Sequence, residues 1–358
     1  MKRFIDLHVP ITACNFNCHY CYVTQMKKNN TEKVQFCYSP EYVRKALSKE
    51  RMGGVCLFNV CGLGETLIPS EVLEYVKVLL QEGHYVMIVT NGTLTNRFDV
   101  ISKFDKDLLS RLFFKFSLHY IELKNKNMLE TFSENVKKMK NCGCSFTIEI
   151  TPNDELEKYI PELKAYSMDN FGALPHVTIP RKENDHIIPL LSEKTFDEFY
   201  STWSSFDSEL FEFKKSIWGV KRNEFCNAGE WSGLLNLGTG EWTPCYNIRG
   251  QKRNMFENIE KPFDFCPVGK HCCMPHCYNG HSFLSMGCIP EINTYHFSVL
   301  RDRTCTDGSH WLTPEVNEFF NTRLEDENST DYSILQKIKF SEIKSTTFVK
   351  NVIKKIFK

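Results

Sequence analysis

The feature that most constrains this chain is a group of three cysteines close to its start. Cys14, Cys18 and Cys21 fall within eight residues, soon after the apolar run Phe4–Val9. Clustered soft thiolates favour iron–sulfur clusters, zinc or copper(I) over magnesium or calcium. A short loop can present three thiolates to one face of a four-iron cluster, which leaves one iron open to a small molecule. A structural zinc site is the alternative, but zinc in such sites takes four protein ligands, usually as two separated pairs.

The Cys-x3-Cys-x2-Cys spacing, with Tyr20 before the third cysteine, resembles the cluster loop of the radical S-adenosylmethionine (radical SAM) superfamily. The resemblance implies a [4Fe–4S] cluster on Cys14, Cys18 and Cys21, with an open iron that binds S-adenosylmethionine. One electron from such a cluster cleaves S-adenosylmethionine to methionine and a 5′-deoxyadenosyl radical. That radical abstracts hydrogen from an unactivated C–H bond of the substrate, and Tyr20 is an expected contact of the cofactor.

Composition excludes several classes of protein. The 358 residues carry 44 basic and 44 acidic side chains, so no net charge favours a nucleic acid or an anionic membrane as partner. We see no signal peptide and no run of about twenty apolar residues that could span a membrane. The 16 cysteines are therefore expected to be reduced thiols and metal ligands in a cytoplasmic protein rather than disulfides.

Short apolar runs alternate with amphipathic segments in the first half of the chain. Strands are predicted around Phe4–Val9, Val55–Val60, Tyr85–Val89, Leu112–Phe116, Ser145–Ile150 and His176–Ile179. Helices are predicted from Ser39 to about Arg51, after Pro69, and near Thr131–Asn141 and Asp154–Ser167. Six strand–helix repeats indicate a parallel sheet of the α/β class with right-handed crossovers. The resemblance to radical SAM proteins favours a partial (β/α)6 barrel over a flat sheet.

In a barrel of this kind, the chemistry lies at the carboxyl ends of the strands. The second strand is followed by Cys61-Gly62-Leu63-Gly64-Glu65-Thr66, where glycine lets the backbone approach a ligand closely. This segment resembles the Gly-Gly-Glu-Pro motif of the family, with Leu63 in place of a glycine and Thr66 in place of the proline. The resemblance implies that Gly64 and Glu65 hold the amino group of S-adenosylmethionine. An ordinary glycine-rich turn is the alternative.

Other strand ends supply further candidates. Asn91, Ser117 and Arg181 follow the third, fourth and sixth strands. By similarity to the family they are expected to contact the ribose, the adenine or the methionine carboxylate, for which a forked guanidinium is well suited. Cys61 lies at the barrel mouth and is a candidate hydrogen donor to a substrate radical. Capping is the alternative role for the polar side chains, and simple packing is the alternative for Cys61.

A second group of cysteines lies in the C-terminal half. The glycines Gly238 and Gly240 predict a hairpin turn between strands at Leu234–Leu237 and Trp242–Pro244. A hairpin flanked by Cys226 and Cys245 and followed by a cysteine-rich segment resembles the SPASM or twitch extension of radical SAM enzymes. That extension carries one or two auxiliary [4Fe–4S] clusters. The candidate ligands are Cys226, Cys245, Cys266, Cys272, Cys273, Cys277 and Cys288.

The match to that extension is incomplete. Phe263 stands three residues before Cys266, where the family pattern has a cysteine, and His276 stands at another cysteine position. One auxiliary cluster, or two with an unusual ligand, both fit the spacing, and a zinc knuckle is the alternative.

The chain is expected to divide into four parts. They are a radical SAM barrel over residues 1–190, a helical linker over 191–225, an auxiliary-cluster region over 226–290 and a helical segment with a basic tail over 291–358. We expect the segment after Cys288 to return to the barrel. The tail from Phe340 has the pattern of a basic amphipathic helix, docked on the protein or lying on a partner or membrane surface.

These observations together predict a radical SAM enzyme that modifies a peptide by crosslinking, oxidation or epimerisation. The same chemistry on a sugar or another small metabolite is the first alternative, and a non-catalytic Fe–S or zinc protein is the second. A flavodoxin or ferredoxin is the expected electron donor.

Overall fold

The computed structural model describes residues 1–27, 34–183, 185, 187–246, 253–270, 272–277, 280–328, 332–336, 338 and 340. Its centre is a nine-stranded sheet with the order β6-β5-β4-β3-β2-β1-β7-β8-β9. The strands are β1 (Arg3–Val9), β2 (Cys56–Gly62), β3 (Tyr85–Thr90), β4 (Leu112–Ser117), β5 (Ser145–Ile150), β6 (His176–Val177), β7 (Ser232–Asn236), β8 (Glu241–Thr243) and β9 (Arg253–Asn254). The predicted basic tail over residues 341–358 lies outside the described residues.

Helices follow the strands throughout the first half, and further helices lie in the second half. They are α1 (Tyr22–Gln25), α2 (Pro40–Ala46), α3 (Lys49–Met52), α4 (Val72–Gln81), α5 (Thr95–Ile101), α6 (Lys106–Leu109), α7 (Tyr120–Asn125), α8 (Leu129–Asn141), α9 (Ile160–Phe171), α10 (Phe196–Trp203), α11 (Glu209–Ile217), α12 (His281–Ser285), α13 (Pro314–Asn321) and α14 (Leu324–Glu327). Short 3₁₀ turns precede α9 and α11.

The first six strands are all parallel, and each pairs with the next one in sequence. This arrangement confirms the predicted partial (β/α)6 barrel. Local sequence explains where its helices begin. Ser39 accepts a hydrogen bond from the Tyr42 N–H ahead of α2, and Pro40 occupies the first turn, where no N–H is needed.

The helix predicted from Ser39 to Arg51 is two helices in the structure. Ser48 has extended backbone and its hydroxyl accepts a hydrogen bond from the Arg51 N–H, so it caps the new helix α3. A serine favours such a cap over a place inside a helix, because its hydroxyl competes for nearby backbone groups. The turn brings Lys49 next to Glu82, which accepts the Lys49 N–H.

The predicted hairpin is present, and its first strand extends the barrel. β7 and β8 are antiparallel, with Leu235 opposite Trp242. β7 also pairs in parallel with β1, with a register that runs from Phe4 opposite Ser232 to His8 opposite Asn236. The cysteine-rich region is therefore continuous with the barrel sheet.

The two faces of the sheet differ. Outward side chains such as Leu7, Phe58 and Phe114 are fully buried against the surrounding helices. The inward face begins with an apolar layer that includes Phe4, Leu57, Met87 and Phe113. Phe283 and Phe320 of α12 and α13 pack against this layer, as in the edge-to-face contact of Phe4 with Phe283 at 5.7 Å. The segment after Cys288 thus returns to the barrel, as the sequence predicts.

In the part of the chain that the structure describes, we find no helix with both the length and the apolar character needed to cross a membrane.

Candidate active site

Residues from the ends of β1 to β4 surround one cavity of about 100 Å³. The three thiols of the N-terminal loop line it, together with the loop after β2 and the ends of β3 and β4. The lining residues that the sequence predicts for the site are Cys14, Cys18, Cys21, Gly64, Glu65, Asn91 and Ser117. The parallel sheet thus brings together residues that lie up to about a hundred positions apart in the sequence, because its strand ends meet at one edge.

The cysteine loop rests directly on the glycine loop after β2. The Gly64 N–H donates to the Ile11 carbonyl at 3.0 Å, and the Glu65 N–H donates to the Ala13 carbonyl at 2.9 Å. A Cβ on Gly64 would lie 1.9 Å from the Ala13 oxygen, so only glycine fits there. Gly64 therefore lets two backbone segments approach one another, in addition to lining the cavity.

Glu65 is 3% exposed, and its carboxylate is held by three hydrogen bonds from the protein. Oε1 accepts from the Leu67 N–H at 3.0 Å and from the Thr90 hydroxyl at 2.7 Å, and Oε2 accepts from the Asn91 N–H at 2.8 Å. Burial raises the pKa of this carboxyl, and the three hydrogen bonds act in the opposite direction. The carboxylate thus joins the loop after β2 to the end of β3.

A closed ring of hydrogen bonds fixes the cysteine loop to β3. Asn15 donates to the Thr93 hydroxyl at 2.8 Å, Thr93 donates to the Asn91 side-chain oxygen at 2.7 Å, and Asn91 donates to the Asn15 side-chain oxygen at 2.7 Å. Asn91 and Thr93 are 3% and 5% exposed whereas Asn15 is exposed, so the ring is shielded from competing water on its β3 side. Asn15 and Thr93 are site residues that the sequence analysis missed, although Asn15 lies inside the cysteine loop itself.

The three thiols form one electrostatic group. The pKa of Cys14 is raised to about 11, mainly by burial, with smaller contributions from the neighbouring Glu65 and Cys21. Burial raises the pKa of Cys18 to about 12, with smaller contributions from Cys21 and Cys14. A thiolate is the ligand form, so bound iron would supply positive charge that counteracts the raised pKa of Cys14 and Cys18.

This donor set fits an iron–sulfur cluster. The three soft donors share one cavity. However, within the described ranges no three Cys, His, Asp or Glu side chains lie close enough together to hold a single metal ion. Thiolates that bind separate irons of a cluster stand farther apart than the ligands of one ion.

Tyr20 supports the cysteine loop from beside the cavity. Its hydroxyl lies 2.8 Å from Nδ1 of His119, and His119 lines the cavity while Tyr20 is absent from the described lining. Phe16 makes an edge-to-face contact with the same imidazole at 6.0 Å. Burial lowers the pKa of His119 to about 4, so the ring is neutral and serves as a hydrogen-bonding partner.

Arg181 and Cys61 are placed elsewhere, and neither is among the described residues that line the thiol cavity. Arg181 pairs with Glu183 at 2.6 Å and lies over the ring of Tyr22, next to Cys21, at 4.7 Å. Cys61 faces inward from β2, where burial and the neighbouring Asp6 raise the pKa of its thiol well above the ordinary value.

The structure brings four of the C-terminal cysteines together. Burial raises the pKa of Cys226 well above its ordinary value, and Cys288, Cys245 and Cys277 raise it further. Asn227 links two of them, because its backbone N–H donates to the Cys288 carbonyl at 2.9 Å. The thiol of Cys288 donates to the Ser232 hydroxyl at 3.1 Å, at the start of β7.

The remaining three predicted ligands are arranged differently. Cys272 raises the pKa of Cys277 and so adjoins the four-thiol group. Cys266 contacts Arg253 and Asp264 instead of another thiol, each at 3.8 Å. Cys273 is exposed.

Comparison with known proteins agrees with this geometry. The family profile of the Radical SAM superfamily matches residues 8–173, which include the three thiols and the ends of β1 to β5. Residues 8–173 of this chain therefore form a radical SAM domain. No curated protein sequence matches the chain.

The fold is shared with a solved structure at low sequence identity. The crystal structure of Streptococcus suis SuiB is 13% identical, covers 74% of this chain and 66% of its own, and superposes with a TM-score of 0.51. SuiB bound to its precursor peptide SuiA is 14% identical, with coverage of 74% and 65% and a TM-score of 0.46. The protein anSMEcpe with bound AdoMet is 14% identical, with coverage of 71% and 75% and a TM-score of 0.45. The chain thus spans slightly less than two thirds of the SuiB chain.

Proposed function

We propose that this protein is a radical SAM enzyme that abstracts hydrogen from a peptide substrate. The observation that carries the proposal is the single cavity lined by Cys14, Cys18 and Cys21 together with Gly64 and Glu65. In this proposal the three thiolates hold a [4Fe–4S] cluster with one open iron, and the cluster with S-adenosylmethionine supplies a 5′-deoxyadenosyl radical. The radical SAM domain over residues 8–173 supports this assignment.

The protein's own residues position the cofactors. The backbone of Gly64 and Glu65 lies against the cysteine loop, so its polar groups border the place where the methionine end of the cofactor would bind. Glu65 keeps that backbone in place through its bonds to Thr90 and Asn91. Ser117, at the end of β4, is the candidate contact for the ribose.

We name a peptide as the substrate class because radical SAM enzymes with a cysteine-rich extension commonly mature ribosomal peptides. A precursor peptide encoded beside the gene would support this choice. A sugar-modifying enzyme, the alternative, is expected beside sugar-nucleotide or glycosyltransferase genes. In either case a flavodoxin or ferredoxin would deliver the electron.

Anaerobic reconstitution tests the chemistry. The reconstituted protein should form 5′-deoxyadenosine from S-adenosylmethionine and a reductant, and Cys18→Ala should abolish it. Cys37→Ala is the matched control, because Cys37 is exposed and lies outside both thiol groups. Absence of 5′-deoxyadenosine from the wild-type protein would favour a non-catalytic Fe–S or zinc protein, and full activity in Cys18→Ala would reject the site.

We further propose that Cys226, Cys245, Cys277 and Cys288 hold one auxiliary [4Fe–4S] cluster. Their mutual effects on pKa and the bond between Asn227 and Cys288 support this set over one that includes Cys266 or Cys273. Wild-type protein should then contain about eight irons per chain, and Cys226→Ala about four. An unchanged iron content in Cys226→Ala, with Cys266→Ala as the comparison, would contradict the assignment.

A further inference from the structure

The inward face of the barrel changes character along each strand. In β4 the successive inward residues are Phe113 in the apolar layer, then Lys115, then Ser117 at the thiol cavity. In β2 the same order is Leu57, Asn59 and Cys61. Two residues of a strand span about 7 Å, so a polar layer lies directly beneath the thiol cavity.

This polar layer borders open space. Asn59, Cys61, Lys115 and Ser117 are partly exposed, whereas the outward residues between them are fully buried. Lys115 keeps 20% of its side chain exposed even though it lies inside the barrel. This alternation places partly exposed polar side chains on the inward face of the barrel, one layer below Ser117 of the candidate active site.

Positive charge exceeds negative charge in the layer. Lys115 pairs with Glu149 at 2.9 Å, and Glu149 also pairs with Arg301, which is 1% exposed. One carboxylate therefore serves two cations. Lys214 of α11 is a third cation of the layer. Within the described residues its ammonium donates one hydrogen bond, to the Thr178 hydroxyl at 2.5 Å.

Asp6 is the other acid near these cations, and it offsets them only in part. Asp6 accepts hydrogen bonds from Asn59 and Tyr246, and burial raises its pKa to about 6. Burial lowers the pKa of Lys115 to about 7, and burial together with Lys115 and Arg181 lowers the pKa of Lys214 well below its ordinary value. Lys115 and Lys214 are thus neighbours that repel one another.

Two further atoms of the layer are available to a polar ligand. Thr147, beside Lys115 in the sheet, has a buried hydroxyl with no hydrogen-bond partner among the described residues. The Nε atom of Arg301 is likewise buried and has no hydrogen-bond partner among the described residues. Buried polar atoms are satisfied in most proteins, so such orphans indicate where a polar molecule binds.

We infer that this layer is a substrate subsite for an oxyanion, a carboxylate or a phosphate, held by Lys214 and Lys115. The inference rests on the proposed function, because it places the anion of the substrate beneath the site where hydrogen is abstracted. A lysine ammonium is a point charge that suits either oxyanion. An acidic residue of a peptide would bring a carboxylate, and a sugar phosphate would bring a phosphate.

Thermal unfolding of the anaerobically reconstituted protein tests the subsite. The probes are acetyl-glutamyl amide for the carboxylate and methyl phosphate for the phosphate, each compared with chloride at equal ionic strength. Ligands that bind only the folded protein raise its Tm, and a rise of about 2 °C is expected with at least one probe. The rise should disappear in Lys214→Met and persist in Lys215→Met, the adjacent lysine of α11.

A shift with one probe alone identifies which oxyanion the subsite takes. No shift beyond chloride, or an equal shift in Lys214→Met, would overturn the inference. Without probe, Lys214→Met should unfold at the same or a higher Tm than wild type, because desolvation and the nearby cations Lys115 and Arg181 disfavour the charged ammonium. A lower Tm would instead make Lys214 a structural residue.

The same preparation separates this inference from the proposed function. Wild-type protein that forms 5′-deoxyadenosine but shows no anion shift leaves the proposed function standing and removes the subsite. Protein that shows the lysine-dependent shift but forms no 5′-deoxyadenosine retains an anion site and loses the radical chemistry.

Discussion

The backbone N–H of Asn91 donates to Oε2 of Glu65 at 2.8 Å, across 26 residues of sequence. This bond joins the loop after β2 to the end of β3, and both segments line the thiol cavity. Glu65 is therefore held by the protein on both of its oxygens, and it keeps the loop after β2 against the end of β3.

Substitution of Glu65 by Gln should destabilise the fold. One end of the amide is a donor, so it would face another donor at Leu67, Thr90 or Asn91, and we expect a loss of about 2 kcal/mol in the free energy of unfolding. Chemical denaturation of the protein measures it. Glu71→Gln is the control, because Glu71 is exposed and its carboxylate accepts a hydrogen bond from the Ser70 hydroxyl at the surface. Equal stability of the two variants would contradict the role of Glu65.

Substitution of Gly64 by Ala should move the cysteine loop. The new Cβ would meet the Ala13 backbone oxygen at 1.9 Å, so the two loops must separate. We expect a cost of about 3 kcal/mol and a loss of bound iron after reconstitution. Gly143→Ala is the control, since it adds only the strain of a φ of +90° with no atom within 4 Å, about 1 kcal/mol. Iron content equal to that of the control would count against this account.

Asp6 should make the stability of the protein depend on pH. Burial raises its pKa from 3.8 to about 6, so the folded state binds the proton more tightly than the unfolded state. The stabilisation from the protonated form is full below pH 4 and is lost as the pH rises through about 6. The shift of about 2 units corresponds to about 3 kcal/mol. Urea titrations from pH 4 to 7 should show this decline, and Asp6→Asn should flatten it.

Arg301 and Glu149 should behave as a coupled pair. Arg301→Met leaves Glu149 buried with Lys115 as its remaining ion-pair partner, and we expect a loss of about 3 kcal/mol. The double variant with Glu149→Gln should lose at least about 1 kcal/mol less than the sum of the single variants. The surface pair of Arg111 and Asp107 is the comparison, because Arg111→Met should cost less than about 1 kcal/mol. Strict additivity would exclude coupling.

The sequence was sufficient to predict the six barrel strands and the grouping of the first three thiols with Gly64 and Glu65. Both follow from local signals: apolar runs with strand spacing, and motifs at strand ends. It did not predict that β7 pairs with β1, because pairing between strands more than two hundred residues apart leaves no local pattern. The split of the helix at Ser48 was also missed, since one capping hydroxyl decided it.

The polar layer inside the barrel was missed for a related reason. From the sequence, a lysine within a strand is expected to face solvent, and only the register of β4 with β3 and β5 shows that Lys115 points inward. Lys214 reads as one of two adjacent lysines on an aromatic-rich helix. Its approach to Thr178 depends on how α11 lies across the end of β6.

The pairing of β7 with β1 bears on how this protein can be divided. A fragment ending near residue 190 would leave the backbone of β1, from Phe4 to His8, as an open strand edge. Unprotected edges of this kind recruit other chains, so such a fragment should aggregate instead of behaving as an isolated barrel. Both thiol groups are thus attached to one continuous sheet, and severing the C-terminal half would damage the first site as well as remove the second.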